Sequence, residues 1–289
     1  MHNTDILDLI TPQLPGVIRF ENSPELARAV LALLRGWRAE LLASDGQAER
    51  FLTIARRRSR FHWESEQALM SYTWKRHPPL SVMGALCEIH YELSEWFVER
   101  NPGFFCLHCA GVRIGDGIVI FPSDQRAGKS VLSMQFAQRG HELFGDDVVA
   151  IEPVTLRAYA LGLLPRLRVP FPAGLGSGFE KFVAARPGME NHQYRYVGLR
   201  GSEHAPLGRT APITGFVLLE RTESGPAVLE PVSQGETLAR LIRKNFATDM
   251  PVTHIFERLK KITGAAQRWR LRYSDGESAI AALCERFGA

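Results

Sequence analysis

The apolar positions of this chain change period several times, and each change predicts an element. In SPELARAVLALLRGWRAEL they recur at helical spacing behind Ser23, a candidate N-cap, with Glu25 close after it. RFLTIARRRSRFHWES alternates in short stretches and predicts one or two strands. PPLSVMGALCEIHYELSEWFVERN predicts a long helix, opened by Pro78-Pro79 and closed by Asn101-Pro102-Gly103. That closing cluster divides the expected organisation into an N-terminal mixed α/β unit, 1–102, and a second unit, 103–289. Beyond it the pattern turns strand-rich. FFCLHCAGVRI reads as a strand, joined through the turn Gly115-Asp116-Gly117 to IVIF as a hairpin. Lys129 to Arg139 predicts a helix stopped by Gly140, and ELFGDDVVAIEP a strand pair around two acids. Between Pro165 and Gly208 the chain is rich in Gly, Pro and Arg, with little periodicity, which predicts a functional or mobile loop region. ITGFVLLERT, PAVLEPV and QRWRLRYS then read as strands. GETLARLIRKNFA, THIFERLKKITG and GESAIAALCERFGA read as helices.

Composition changes this picture little. Of 289 residues 45% are hydrophobic and 23% charged, which predicts a globular core. No apolar run approaches the roughly 20 residues of a membrane span, and the start MHNTDILDLITPQLPG lacks the basic end and apolar core of a signal peptide. A cytoplasmic protein with no membrane partner is the expectation. Four cysteines are too few for a disulfide scaffold. Cys106 and Cys109 have metal-like spacing, but on a strand residues three apart face opposite sides, and no second pair stands nearby to complete a zinc site. The net charge of +4 includes basic runs at Arg56 to Arg60 and Arg258 to Arg272. Without a nucleic-acid motif these read as solvated faces, so no nucleic-acid partner is expected.

The chemistry concentrates in one stretch. Ser123-Asp124-Gln125-Arg126-Ala127-Gly128-Lys129-Ser130 is nearly the phosphate-binding loop G-x-x-x-x-G-K-[ST], with serine where the first glycine belongs. Such a loop aims backbone N–H groups and a helix N-terminus at phosphates, its lysine adds a point charge, and its hydroxyl binds Mg²⁺. The strand before and the helix after that it requires are both predicted. Asp146 and Asp147 follow seventeen positions after Lys129, leaving room for one short helix between them. Two carboxylates beside a triphosphate can divide the work, one holding Mg²⁺ and one taking the proton of an incoming hydroxyl. These residues leave open a kinase, a nucleotide-binding regulatory or scaffold protein without transfer, a small-molecule phosphotransferase and a simple ATP hydrolase.

LHCAGV, the hairpin, SDQRAGKS, MQFAQRGHEL and GDDVVAIEP, taken in this order from Leu107 to Pro153, resemble HPr kinase/phosphorylase and the HPr-kinase-related kinases. The resemblance implies an α/β fold with a P-loop kinase domain of the HPr kinase/phosphoenolpyruvate carboxykinase type, preceded by a smaller α/β domain. It implies ATP and Mg²⁺ as cofactors and transfer of the γ-phosphoryl group to a serine hydroxyl of a protein or peptide, a ribosomal peptide precursor such as a lasso-peptide precursor being one candidate. Carried over residue by residue, Ser123, Asp124, Gln125, Arg126, Ala127, Gly128, Lys129, Ser130 and Val131 would bind the nucleotide. Ser130, Asp146 and Asp147 would hold the metal, and Lys129, His108, Asp146 and Asp147 would form the catalytic group. Which aspartate is base and which is ligand stays open. The family's C-terminal signature for the reverse reaction has no counterpart here, so HPr itself is not an expected substrate. Family members are oligomers, so a homo-oligomer is expected, although subunit contacts do not follow from a shared loop. Arg166 and Arg168 could steady a phosphoryl group, and His192 and Tyr194 could line an acceptor groove.

Overall fold

The computed structural model describes residues 6–65, 78–122, 127–172, 174–245 and 250–288. The chain is mixed α/β with several sheets. Strands β1 (Ile6–Ile10), β2 (Val17–Glu21), β3 (Glu40–Ala43), β4 (Arg50–Arg57) and β5 (Arg60–Glu64) form one sheet in the order β3-β1-β2-β4-β5. Helices α1 (Pro24–Leu33) and α2 (Val82–Arg100) pack on each other, and Phe20, Leu26, Val30, Leu86, Ile89 and Trp96 fill this part of the core. Two local expectations need correction. Ser23 stands at the N-cap of α1 but makes no capping bond, and its hydroxyl is buried without a partner among the described residues. Helix α2 is capped by the Ser81 side chain, which accepts from the Gly84 amide, rather than opened directly by the prolines.

The expected boundary at Asn101-Pro102-Gly103 coincides with the end of α2, yet contacts run across it. The Trp37 indole donates to the Leu161 carbonyl at 2.7 Å, Gly36 N–H to Gly162 O at 3.0 Å, and Leu207 N–H back to Gly36 O at 2.9 Å. A methyl on Gly36 would lie 2.6 Å from the Gly162 backbone, so the two glycines touch where no side chain fits. Leu161, Leu163, Leu164 and Tyr196 belong to the same hydrophobic cluster as α1 and α2.

The second part contains β6 (Phe105–Leu107), β7 (Ala110–Ile114), β8 (Gly117–Phe121), α3 (Lys129–Gln138), β9 (Leu143–Gly145), β10 (Val149–Ile151), β11 (Ala158–Tyr159), β12 (Arg166–Arg168), α4 (Gly176–Ala184), β13 (Tyr194–Tyr196), β14 (Thr210–Ala211), β15 (Ile213–Arg221), β16 (Val228–Pro231), α5 (Gln234–Ile242), α6 (Val252–Ala265), β17 (Gln267–Tyr273) and α7 (Gly276–Phe287). A six-stranded sheet runs β16-β17-β15-β8-β7-β9, with β8, β15 and β17 parallel. Strand β8 is buried on both faces, which explains its uninterrupted apolar sequence. Val119 and Phe121 pack towards α3 and α7, while Ile118 and Ile120 pack towards α5, α6 and a four-stranded antiparallel sheet, β14-β11-β10-β6.

The segment FFCLHCAGVRI is not one strand. It leaves the four-stranded sheet after Leu107 and enters the six-stranded sheet at Ala110. The segment ELFGDDVVAIEP makes the same passage in reverse, from β9 to β10. The two run side by side: Leu107 pairs with Val149 in one sheet, and Gly111 with Gly145 in the other. Cys106 and Cys109 are both buried, in separate hydrophobic clusters. Among the described residues no helix is long and apolar enough to cross a membrane.

Candidate functional site

The double passage between sheets places the chemistry. His108 lies in one crossing and Asp146-Asp147 in the other, so adjacent strand pairs hold the imidazole and the carboxylates near each other. The phosphate-loop segment enters from β8. Residues Ser123, Asp124, Gln125 and Arg126 lie outside the described residues. From Ala127 onward the backbone is defined: Gly128 caps α3 with φ +89°, and its carbonyl accepts the first helical bond, from Leu132. The N–H groups of Lys129, Ser130 and Val131 therefore stand at the positive end of a ten-residue helix. This end lies at the C-terminal edge of the parallel strands, where open α/β sheets bind ligands.

Lys129 is buried, and the charges that act on it are informative. Burial and the neighbouring Lys244 push its pKa down, and Asp146 and Asp147 pull it back up. A second cation beside a buried lysine is an unfavourable arrangement that a polyphosphate anion would relieve. Lys244 comes from the end of α5. Its carbonyl accepts from the His108 amide at 2.7 Å, and Leu107 bridges Asn245. Burial lowers the pKa of His108, with Lys129, Lys244 and Arg166 adding to the shift and Asp147 opposing it.

The two aspartates differ sharply. Burial and the Asp147 charge push Asp146 up to about 7, while the Ser130 hydroxyl and the Arg166 amide draw it down. Asp146 Oδ2 accepts from Arg166 N at 3.2 Å, and its Oδ1 is buried with no partner among the described residues. Burial also works against Asp147, but Arg166, His90, His108 and Lys129 outweigh it and hold that carboxyl below the usual range. Arg166 Nη2 donates to Asp147 Oδ2 at 3.0 Å, and the guanidinium lies 4.7 Å from the Tyr194 ring centroid.

A buried carboxyl within reach of Ser130, with one oxygen unpartnered among the described residues, calls for a proton or a cation. Oxygen donors in this arrangement, one hydroxyl and one or two carboxylates, fit Mg²⁺, which takes its remaining ligands from water and phosphate. Among the described residues no three His, Cys, Asp or Glu side chains gather as a fuller metal cage.

Arg168 is exposed and packs over Tyr194 at 5.7 Å, and His192 is exposed away from the carboxylates. Four residues join the site without having been singled out in the sequence: Lys244, His90, Tyr273 and Arg221. His90, buried on α2, is pushed down to about 4 by burial. With Asp146 and Asp147 it lines a cavity of about 10 Å³, room for one water. The Tyr273 hydroxyl donates to Ala127 O at 3.0 Å, and Arg221 ends the neighbouring strand. None of these carries a local motif: each is a single polar residue in an ordinary strand, helix or turn.

Gly128 and Tyr273 give a direct test. A methyl at Gly128 would sit 2.5 Å from the Tyr273 hydroxyl, at a backbone angle side chains rarely adopt. Gly128→Ala is expected to cost about 1–3 kcal/mol through loop strain, read as a lower melting temperature. Adding Tyr273→Phe should not rescue it, because the backbone strain remains.

No protein-family model matches this sequence, and no curated protein matches it. Among solved structures, the chain is similar to the Hpr(Ser) kinase/phosphatase from Coxiella burnetii, with a TM-score of 0.25 and 13% identity, over 63% of this chain and 93% of that one. What this chain can do is decided by its own side chains.

Proposed function

We propose that this protein is an ATP-dependent serine kinase that passes the γ-phosphoryl group to a hydroxyl of a protein or peptide, with a ribosomal peptide precursor as one candidate acceptor. The observation that carries this reading is the convergence of the α3 N-terminus, Lys129, Ser130, both aspartates and His108 at the paired sheet crossing. A hydrolase would need only one positioned base, whereas two carboxylates held in opposite electrostatic states suit a division between metal and acceptor. The amides of residues 127–131 and Lys129 would hold the outer phosphates. Ser130 and Asp146 would hold Mg²⁺, because that hydroxyl reaches the carboxyl whose Oδ1 is buried without a partner among the described residues; the ion would neutralise phosphate charge. Asp147, fixed by Arg166 and facing His108, would orient the acceptor hydroxyl and take its proton. The motif order from Leu107 to Pro153 supports a protein or peptide acceptor.

Incubation with γ-labelled ATP, Mg²⁺ and host lysate tests this. The expected result is a labelled protein or peptide with the wild type and none with Lys129→Ala. ATP binding by calorimetry with no labelled product, in lysate or across a serine-peptide panel, would instead favour a nucleotide-binding regulatory protein.

A further inference from the structure

Arg166 is held from more sides than its ion pair with Asp147. On the ribbon β12–β13 it stands directly opposite Tyr196. The Tyr196 hydroxyl shares a hydrogen bond with His90 Nδ1 at 3.2 Å and donates to Cys87 Sγ at 3.9 Å. Cys87 and His90 are three residues apart on α2, hence on one helix face. Tyr196 is 1% exposed and His90 is buried, so the hydrogen bond between them is shielded from solvent. The Tyr194 ring covers the guanidinium from the ribbon side. A guanidinium held between this ring and the Asp147 carboxylate has lost much of its rotational freedom before any ligand arrives. That is the pre-organised fork that recognises phosphate oxygens in two-point fashion.

We propose that Arg166 reads the terminal phosphate of the nucleotide, and that α2, from the first hundred residues, supplies His90 as a positioning residue acting through Tyr196. This rests on the kinase reading above and extends it: discrimination of ATP from ADP depends on a helix outside the phosphate-loop half of the chain. Every position of the bracket is polar or polarisable in an otherwise apolar helix face, where Leu86, Ile89 and Leu93 fill the neighbouring sites. Packing alone would be served as well by leucine.

The test measures Mg·ADP and the Mg complex of a non-hydrolysable ATP analogue on the full chain by calorimetry. The wild type is expected to bind the analogue more tightly than ADP, and Arg166→Met to bring the two affinities together. His90→Leu and Tyr196→Phe are expected to shrink the ratio by about three- to tenfold, the worth of one hydrogen bond, with the loss on the analogue rather than on ADP. His90→Asn, which keeps a polar group near the Nδ1 position, should restore most of the ratio. A folded His90→Leu with the wild-type ratio, or His90→Asn behaving as His90→Leu, overturns the inference. If His90→Leu does not fold, Tyr196→Phe decides, and an unchanged ratio there overturns it. A wild type that binds both nucleotides equally overturns it too and leaves the kinase reading standing. A wild type that binds neither overturns both.

Discussion

Asp146→Asn is expected to make the nucleotide-free protein more stable above pH 7 while cutting phosphoryl transfer by about a hundredfold or more. The carboxyl is raised from 3.8 to about 7 because it is buried beside Asp147. A folded-state pKa above the unfolded one means that the folded protein binds the extra proton, so stability falls as pH rises from about 4 to about 7 and then stays level. At about 1.4 kcal/mol per pKa unit this burden is on the order of a few kcal/mol at pH 8. Asparagine keeps the shape and removes the charge. Thermal melts of both proteins should therefore coincide near pH 4, diverge progressively up to about pH 7 and keep a constant gap above it, with the variant higher. Adding Mg²⁺ and ATP should stabilise the wild type more than the variant, since only the carboxylate supplies a charged oxygen to the ion. A variant no more stable than the wild type at pH 8 would show that Asp146 carries no such burden.

Asp147→Asn should do the opposite to stability and the same to turnover. Its carboxyl is held below the usual range, so it contributes stability above the unfolded pKa of about 4 that is lost as pH falls. Removing the charge leaves Arg166 half-buried without its 3.0 Å partner. Both side chains retain about a quarter of their exposure, 24% and 26%, which places the expected loss at roughly 1–3 kcal/mol, below that of a fully buried pair. Transfer is expected to fall by about 10²- to 10⁴-fold, with Mg·ATP still bound because the helix N-terminus, Lys129 and Asp146 are untouched. Melting at pH 8, calorimetry and labelled-ATP turnover on the two variants together distinguish the neighbours. Equal stability changes of the same sign would refute the division of roles.

The elements that place the loop were legible because their physics is local. An apolar run beside a short turn predicts β8, and a glycine stop after the phosphate-loop segment predicts α3. What stayed hidden was relational. FFCLHCAGVRI reads as one strand, since nothing in its residues marks where a strand abandons one sheet for another; that is set by the neighbouring segment making the same passage. Strands β1 and β2 went unread because runs as short as ILDLI and VIRFE match more than one structure. Ser23 has the chemistry of a cap, but burial of its hydroxyl prevailed over the local preference. His90 and Lys244 reach the site through tertiary packing, from a helix about 40 residues before and a turn 115 residues after Lys129.

The backbone contact between Gly36 and Gly162 has a practical corollary. Residues 161–164 press on that contact from one side and line the space beneath the aspartates with the other. A fragment starting at residue 103 would lose this backing, and chimaeras joined there would mismatch two main-chain surfaces that meet without an intervening side chain. Swapping front halves between homologues should therefore disturb the space beneath the aspartates even where every residue lining it is kept.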